Sequence, residues 1–152
     1  MPRIMVIGSG SFIGHRLMEM LHCPGTSRAD LDLLDDTARP PDAKLHILCA
    51  AVTGFDVWFN RSDAYRVNVD APLRLAKQCR QLVFLSSVAV ETGLHCNYGK
   101  HKALAEAALY KCPNVAIARI LNRVTARNLD RVCRGIIGIT EPFYPAGVHR
   151  IQ

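Results

Sequence analysis

Short apolar runs alternate along the chain with segments in which apolar residues recur at helical spacing. The runs predict strands at residues 3–7, 45–51, 82–85 and 115–120. The amphipathic segments predict helices at residues 12–21, 63–80 and 98–110. Strands that alternate with helices in this way are typical of parallel β-α units. We therefore predict an α/β fold with a doubly wound parallel sheet that is covered on both faces.

The C-terminal part continues this alternation with a helix at residues 122–134 and an edge strand at residues 148–151. We find no internal repeat, linker or low-complexity tract, and 152 residues suit one hydrophobic core. The prediction is a single three-layer α/β/α domain that spans residues 1–152.

The composition, with 49% apolar and 21% charged residues, is typical of a globular domain. No apolar run approaches the length of about 18 residues that suggests a membrane span, so we expect no membrane association. The chain enters its first strand at once, so we expect no cleavable signal peptide. Six cysteines without paired or zinc-type spacing favour reduced thiols in the cytoplasm. The histidines show no ligand spacing, so we propose no metal site.

The net charge of +6 is unevenly distributed. Residues 111–152 hold seven basic and two acidic side chains, whereas residues 1–110 hold 12 basic and 11 acidic ones. A nearly neutral body with a basic end argues against a nucleic-acid-binding protein. It favours either a local contact with an anion or a solvated basic surface.

The turn between the first strand and the first helix is rich in glycine. Gly8, Ser11 and Gly14 fit a G-x-x-G-x-x-G pattern in which Ser11 takes the middle position, and Gly10 adds a further glycine. Such a turn lets the backbone approach a pyrophosphate, and the following helix presents its positive end to it. The alternative is a tight turn that binds no ligand.

A Y-x-x-x-K sequence, Tyr98 to Lys102, begins the helix at residues 98–110. The two side chains share a helix face, and a lysine cation would lower the tyrosine pKa from about 10. Tyr98 is then a candidate general acid or base. Ser86 and Ser87 end the third predicted strand, at the sheet edge where α/β folds place their sites. The alternatives are a surface helix pair and a capped strand end.

Five motifs in order resemble the short-chain dehydrogenase/reductase superfamily, and most of all its extended branch. That branch contains the NAD-dependent epimerases and dehydratases and the dTDP-4-dehydrorhamnose reductase-like proteins. The resemblance covers about residues 3–120 and implies a Rossmann-like fold. The motifs are Gly8–Gly14 (G-G-x-G-F-I-G), Leu31–Asp35 (L-D-I-T-D), Cys49–Thr53 (N-A-A-x-T), Tyr65–Pro72 (A-Y-x-V-N-V-x-G-T) and Leu82–Val90 (V-F-x-S-S-x-x-V).

The resemblance implies a Ser-Tyr-Lys catalytic set. Ser87 would orient the substrate oxygen, Tyr98 would exchange its proton, and Lys102 would hold the nicotinamide ribose and tune Tyr98. The residues implied to bind the cofactor are Gly8, Gly10, Ser11, Phe12, Ile13, Gly14, Asp32, Leu33, Ala50, Ala51, Asn68 and Lys102.

The implied function is that of an NAD(P)-dependent oxidoreductase or a sugar-nucleotide-modifying enzyme. The alternative is a non-catalytic dinucleotide-binding sensor or partner subunit, because only residues 120–152 remain as a residual substrate-side segment. In the family the two long helices, here residues 63–80 and 98–111, commonly pair in a homodimer.

The choice between NAD and NADP depends on the residues that follow the fingerprint. Thr26-Ser27-Arg28 could hold a ribose 2′-phosphate, with Arg28 as the anion partner. Asp30 and Asp32 follow Gly14 by 16 and 18 residues, but Asp32 belongs to the adenine-side motif. We favour NADP over NAD; the alternative for Arg28 is a solvated turn residue.

Two further features remain. Trp58 and Phe59 either cover the cofactor or pack within the fold. Arginines at three- and four-residue intervals would form a basic stripe on the predicted helix at 122–134, where Arg123 and Arg127 could grip the diphosphate of a sugar nucleotide. The alternative is a solvated helix face. The arginines are Arg119, Arg123, Arg127, Arg131 and Arg134.

Overall fold

Six strands form one parallel sheet in a computed structural model that describes residues 1–53, 61–145 and 147–152. Their order across the sheet is β2-β1-β3-β4-β5-β6, and every pair is parallel. Val6 lies opposite Gly25 on one side and Ile47 on the other. The strands are β1 (Ile4–Ile7), β2 (Gly25–Thr26), β3 (Leu45–Leu48), β4 (Leu82–Ser87), β5 (Val115–Ile120) and β6 (Val148–Ile151).

The connections between the strands carry the helices. A π-helical segment, Arg66–Asp70, joins two of them. The helices are α1 (Phe12–Leu21), α2 (Arg61–Tyr65), α3 (Ala71–Gln78), α4 (Ala89–Thr92), α5 (Asn97–Leu109) and α6 (Leu129–Ile137).

Alternate residues of each strand face opposite layers, so the sheet has an apolar cluster on each face. Val83 and Leu85 of β4 belong to the cluster beneath α1 and α6. Leu82 and Phe84 belong to the other cluster, beneath α3 and α5. The predicted α/β class, doubly wound parallel sheet and three layers are therefore confirmed. The edge strand at 148–151 is also confirmed.

Several elements differ from the sequence-based prediction. Strand β3 ends at Leu48 and not at residue 51, and the short helix α4 has no predicted counterpart. No strand is predicted at Gly25 and Thr26, where the structure has the two-residue strand β2 beside β1. The helix predicted at 63–80 is interrupted by the π-helical segment. The helix predicted at 122–134 is wrong in its start, because α6 begins only at Leu129.

Asn128 explains the late start of α6. Its side-chain Oδ1 accepts a hydrogen bond from the Thr125 N–H at 2.7 Å, and its Nδ2 donates to the Arg123 carbonyl at 3.0 Å. Residues 123–128 are thereby held in a turn, while Arg119 lies on β5. The predicted basic stripe therefore does not form on one helix.

Within the described residues there is neither a membrane-spanning helix nor a metal-ligand cluster, and the cysteines are unpaired. No helix within the described residues has the length and apolar character to cross a bilayer. The same residues contain no cluster of three potential metal ligands. All six cysteines are free; Cys79 and Cys133 are buried and the other four are half-buried. Trp58 and Phe59 lie outside the described residues.

Candidate functional site

The strand order locates a crevice at the carboxyl edge of the sheet. The chain leaves β1 towards β2 on one side, and β3 lies on the other side, so β1 and β3 flank a topological switch point. Ligands of open α/β sheets bind in the crevice outside the strand ends at such a point. A cavity of about 430 Å³ lies there. Eight of the residues expected to bind the cofactor line it, namely Gly8, Gly10, Ser11, Arg28, Asp32, Leu33, Ala50 and Ala51.

Three glycines shape the turn between this cavity and α1, and two of them, Gly8 and Gly10, line the cavity. Gly8 has φ +98°, and a Cβ there would lie 2.6 Å from the Ala50 nitrogen. A Cβ on Gly14 would lie 2.2 Å from the Gly8 carbonyl oxygen, so α1 packs directly on the turn. Gly10 differs from both, because within the described residues no atom other than those of its own chain neighbours lies within 4 Å of the position of its Cβ. A side chain at Gly10 would therefore enter open space at the cavity wall.

Ser11 turns its hydroxyl away from the cavity and into the turn. Its Oγ accepts a hydrogen bond from the Gly14 N–H at 3.0 Å and donates one to the Gly8 carbonyl at 2.9 Å. Ser11 is the N-cap of α1. The first-turn N–H groups of Phe12 and Ile13 have no partner within the helix, as at any helix start. The serine thus stabilises the turn, and two N–H donors are left for an anion.

The carboxyl end of β2 forms the opposite wall. Thr26 is 4% exposed, and its buried hydroxyl has no hydrogen-bond partner within the described residues. Asp30 accepts hydrogen bonds from the Ser27 N–H and hydroxyl, both at 2.8 Å, which holds the turn and lowers the Asp30 pKa. The Arg28 side chain is 79% exposed at the cavity border, with its Nε 3.9 Å from Asp32 Oδ1. The Asp30 carboxylate is therefore engaged within the turn, and Arg28 is an exposed cation at this wall.

The adenine-side segment is held from behind by two arginines that the sequence analysis did not single out. Arg66 Nη2 donates to the Leu34 carbonyl, and Arg74 Nη2 donates to the Leu33 carbonyl at 3.1 Å. Asp32 Oδ1 accepts a hydrogen bond from the Leu34 N–H at 3.0 Å. The two arginine contacts span 32 and 41 residues of sequence, so no local spacing could have revealed them.

Asn68 lies behind the third wall of the cavity and does not line it. It is 1% exposed, its Oδ1 accepts from the Val52 N–H at 2.8 Å, and its Nδ2 donates to the Val52 carbonyl at 2.9 Å. The amide thereby fixes the segment after β3, which includes Ala50 and Ala51. Asn68 sits in the π-helical segment, a feature that is frequent at functional sites. Because both amide atoms of Asn68 are bonded to the Val52 backbone, Asn68 positions the cavity wall and is not itself at the cavity surface.

A second cavity, of about 360 Å³, lies along the same edge at the ends of β4 and β5. Ser87, Tyr98 and Arg123 all line it, and Ile13 of α1 borders it as well. The structure therefore brings together two members of the expected catalytic set and one of the two expected substrate arginines. Arg127 does not line this cavity. Ser87 Oγ accepts a hydrogen bond from the Ala89 N–H at 3.2 Å.

Lys102, the third member of the set, lies beneath Tyr98. Its Nζ donates to the Leu85 carbonyl at 2.8 Å, and it sits 4.5 Å from the Phe84 ring centroid and 5.8 Å from that of Tyr98. Burial lowers the Lys102 pKa to about 8. Burial also raises the Tyr98 pKa, with a smaller contribution from Cys96. The expected lowering of the Tyr98 pKa is thus wrong here, because burial of the phenol disfavours its charged form.

Arg119 was grouped with the basic stripe, but it belongs to an ion-pair network on the α5 side of β5. Its Nε and Nη2 donate to the two carboxylate oxygens of Glu106, at 3.0 and 2.5 Å. Its Nη1 donates to Glu91 of α4 at 2.5 Å, and Arg150 of β6 donates to the same carboxylate at 2.6 Å. The network joins α4, α5, β5 and β6 beside the second cavity.

Comparison with models of protein families gives no match, and comparison with curated protein sequences gives none either. Solved structures do match. The protein lin1944 from Listeria innocua is 10% identical with a TM-score of 0.69, and the match covers 100% of both chains.

Two enzymes are also similar in structure. The first is a double mutant of the dTDP-glucose 4,6-dehydratase DesIV from Streptomyces venezuelae with NAD bound; it is 16% identical with a TM-score of 0.76, over 98% of this chain and 75% of that one. The second is a carbonyl reductase from Pseudomonas aeruginosa in complex with NADP; it is 15% identical with a TM-score of 0.60, over 99% and 94%. The Rossmann-like fold that the motif resemblance implied is therefore confirmed: this chain shares its fold with these two enzymes, one solved with NAD and the other with NADP.

Proposed function

We propose that this chain is an NAD(P)-dependent oxidoreductase or a sugar-nucleotide-modifying enzyme of the epimerase, dehydratase or reductase type. One observation carries the proposal. A glycine-walled cavity at the switch point and a second cavity that contains Ser87 and Tyr98 lie along the same edge of the sheet. A dinucleotide that extends along this edge would occupy the first cavity and present its reactive end near the second.

The residues of the first cavity fit a dinucleotide. The open space at Gly10 and the free N–H groups of Phe12 and Ile13 suit a pyrophosphate, and the unpartnered Thr26 hydroxyl is available to the adenosine half. Leu33, Ala50 and Ala51 provide apolar walls for the adenine and ribose. When bound, the nicotinamide supplies hydride transfer; the protein supplies binding, orientation and proton exchange.

The proposed chemistry of the chain itself is proton exchange at a substrate oxygen. Ser87 orients that oxygen by a hydrogen bond, and Tyr98 donates the proton. Because burial raises the Tyr98 pKa, the phenol is protonated at neutral pH, which suits a general acid in the reduction of a carbonyl. Lys102 carries the positive charge beneath the phenol.

Tyr98→Phe tests this role. We expect the variant to bind NADPH within about twofold of wild type and to lose at least about 100-fold in kcat, since general acid catalysis contributes that much. NADPH oxidation is followed with a 4-keto sugar derived from dTDP-glucose and with a set of small ketones as substrates. The affinity for NADPH is measured by nicotinamide fluorescence. Equal kcat values for the variant and the wild type would remove Tyr98 from the mechanism.

The second candidate is a dinucleotide-binding sensor or partner subunit without turnover. Lys102 favours it, because its Nζ is bound to the Leu85 carbonyl and lies 5.8 Å from the Tyr98 ring centroid. Tight NADPH binding, without oxidation by any of these substrates, is the result that this candidate predicts.

The proposal includes a preference for NADP, for which Arg28 is the supporting residue. We expect Arg28→Ala to weaken NADPH binding about tenfold, because a charge-assisted contact to phosphate contributes about 1.5–3 kcal/mol when formed, less at an exposed position. NADH binding is expected to stay within twofold and is the internal control. Equal losses of affinity for NADPH and NADH would show that Arg28 is a solvated turn residue.

Three further parts of the proposal concern substrate and context. Arg123, at the border of the second cavity, and more distantly Arg127 are the candidate partners of a substrate diphosphate. Homodimerisation is proposed through the helical segments at 63–80 and 98–111, where Leu104 is 51% exposed. The six free cysteines suit the cytoplasm.

A further inference from the structure

Helix α5 buries two side chains of opposite charge one turn apart. Lys102 is 4% exposed and Glu106 is 6% exposed. Residues four apart on a helix are neighbours, with about 5–6 Å between their Cβ atoms. Tyr98, Lys102 and Glu106 therefore lie in line on the covered face of α5, from the second cavity inwards.

Glu106 is fixed in place by a partner outside its helix. Both of its carboxylate oxygens accept hydrogen bonds from Arg119, whose side chain is 14% exposed. A bidentate arginine–carboxylate pair has a defined geometry. The Glu106 carboxylate is therefore held one helical turn from Lys102 and does not turn towards solvent.

We propose that Glu106 is a positioning residue that keeps the buried Lys102 ammonium charged beneath Tyr98. The role of the Lys102 charge in catalysis rests on the proposed function, but the electrostatic interaction between Glu106 and Lys102 does not. Arg119, on this account, holds the carboxylate at the correct depth.

The other groups around Lys102 offer no comparable counter-charge. From β4 it meets the Leu85 carbonyl and the Phe84 ring, and from α5 the phenol of Tyr98. Cys49, at the end of β3, is the remaining titratable neighbour, and burial raises its pKa far above neutral, so its thiol is uncharged. Glu106 is the one acidic side chain among these neighbours.

Desolvation makes this neighbouring carboxylate important. Burial lowers the Lys102 pKa to about 8; Cys49 and then Glu106 act in the opposite direction, but burial keeps the Cys49 thiol uncharged, so Glu106 is the effective contributor. An ammonium with a pKa near 8 is mostly protonated at pH 7, and a fall of one pH unit would leave about half of it neutral. Small changes at Glu106 would therefore decide the charge state of Lys102 in the physiological range.

The test is a direct titration of Lys102 by NMR in the full chain without cofactor or substrate. The chain contains only five lysines, and Lys102→Arg assigns the signal. We expect Glu106→Gln to lower the pH midpoint of Lys102 by about one pH unit or more, as removal of a nearby opposite charge does. An unchanged midpoint in Glu106→Gln would overturn the proposal.

Glu91→Gln is the matched control. Glu91 also bonds Arg119, but it lies on α4 and is not a neighbour of Lys102. We expect it to leave the Lys102 midpoint within about 0.3 pH unit. An equal shift in both variants would show that the network acts through structure and not through the charge of Glu106, and would also overturn the proposal.

A double variant keeps the test decisive if Glu106→Gln alone does not fold. Glu106→Gln with Arg119→Gln removes both charges of the pair, so no unpaired arginine is left. The Lys102 midpoint is expected to fall in this variant too, by less than in the single one, because Arg119 no longer repels the ammonium. No fall would contradict the proposal. The titration needs no cofactor, so it still tests the interaction of Glu106 with Lys102 if the proposed function fails.

Discussion

Gly10→Val is expected to weaken NADPH binding at least about 100-fold, or about 2.7 kcal/mol, without lowering Tm. Gly10 lines the cavity at the switch point, and apart from its chain neighbours no atom of the described residues lies within 4 Å of its Cβ position. A valine side chain would therefore fill the space proposed for the pyrophosphate, and its Cβ would make no close contact with these residues. The measurements are nicotinamide fluorescence titration and thermal unfolding.

Ser9→Val is the matched control for Gly10→Val. Ser9 is the preceding residue in the same turn, but it is not part of the cavity wall. We expect NADPH affinity within about threefold of wild type. If Gly10→Val binds NADPH as tightly as Ser9→Val does, the pyrophosphate does not lie at Gly10.

Gly14→Ala is expected to destabilise the fold by about 3 kcal/mol, which corresponds to a fall in Tm of roughly 6–12 °C. Its Cβ would lie 2.2 Å from the Gly8 carbonyl oxygen. That oxygen cannot move freely, because it accepts hydrogen bonds from the Ser11 N–H and hydroxyl. The new methyl group must therefore push α1 away from β1. Thermal or denaturant unfolding measures the effect.

Gly10→Ala is the control for Gly14→Ala, since it is the same substitution four residues earlier. With open space at its Cβ position, Gly10→Ala should change Tm by less than about 2 °C. Equal Tm values for the two alanine variants would mean that α1 does not pack on the turn as closely as the structure shows.

The sequence alone predicted the elements whose signal is local. Helix α1 at Phe12–Leu21 and strand β5 at Val115–Ile120 have the predicted bounds, because apolar spacing and a cap define them within a few residues. Strand β2 was missed because Gly25 and Thr26 resemble a turn and pair only with a distant strand. The start of α6 was missed because it depends on the Asn128 side chain, which binds the backbone of residues 123 and 125.

The candidate site, too, was predicted from the sequence only in part. The positions of Gly8, Ser87 and Tyr98 at the carboxyl edge follow from parallel β-α units, which the alternating pattern predicted. The pairings of Asn68 with Val52 and of Arg119 with Glu106 join residues that are 16 and 13 positions apart. Neither their partners nor the burial of Lys102 could be derived from spacing. The direction of the Tyr98 pKa shift was therefore predicted wrongly, because burial raises this pKa.

The central claim is that the switch-point cavity holds a nicotinamide dinucleotide. The most direct measurement is a titration of the unaltered full-length chain with NADPH and NADH, followed by nicotinamide fluorescence. The account predicts saturable binding of NADPH well below millimolar concentration, with weaker binding of NADH. Absence of binding of both cofactors at millimolar concentration would contradict it.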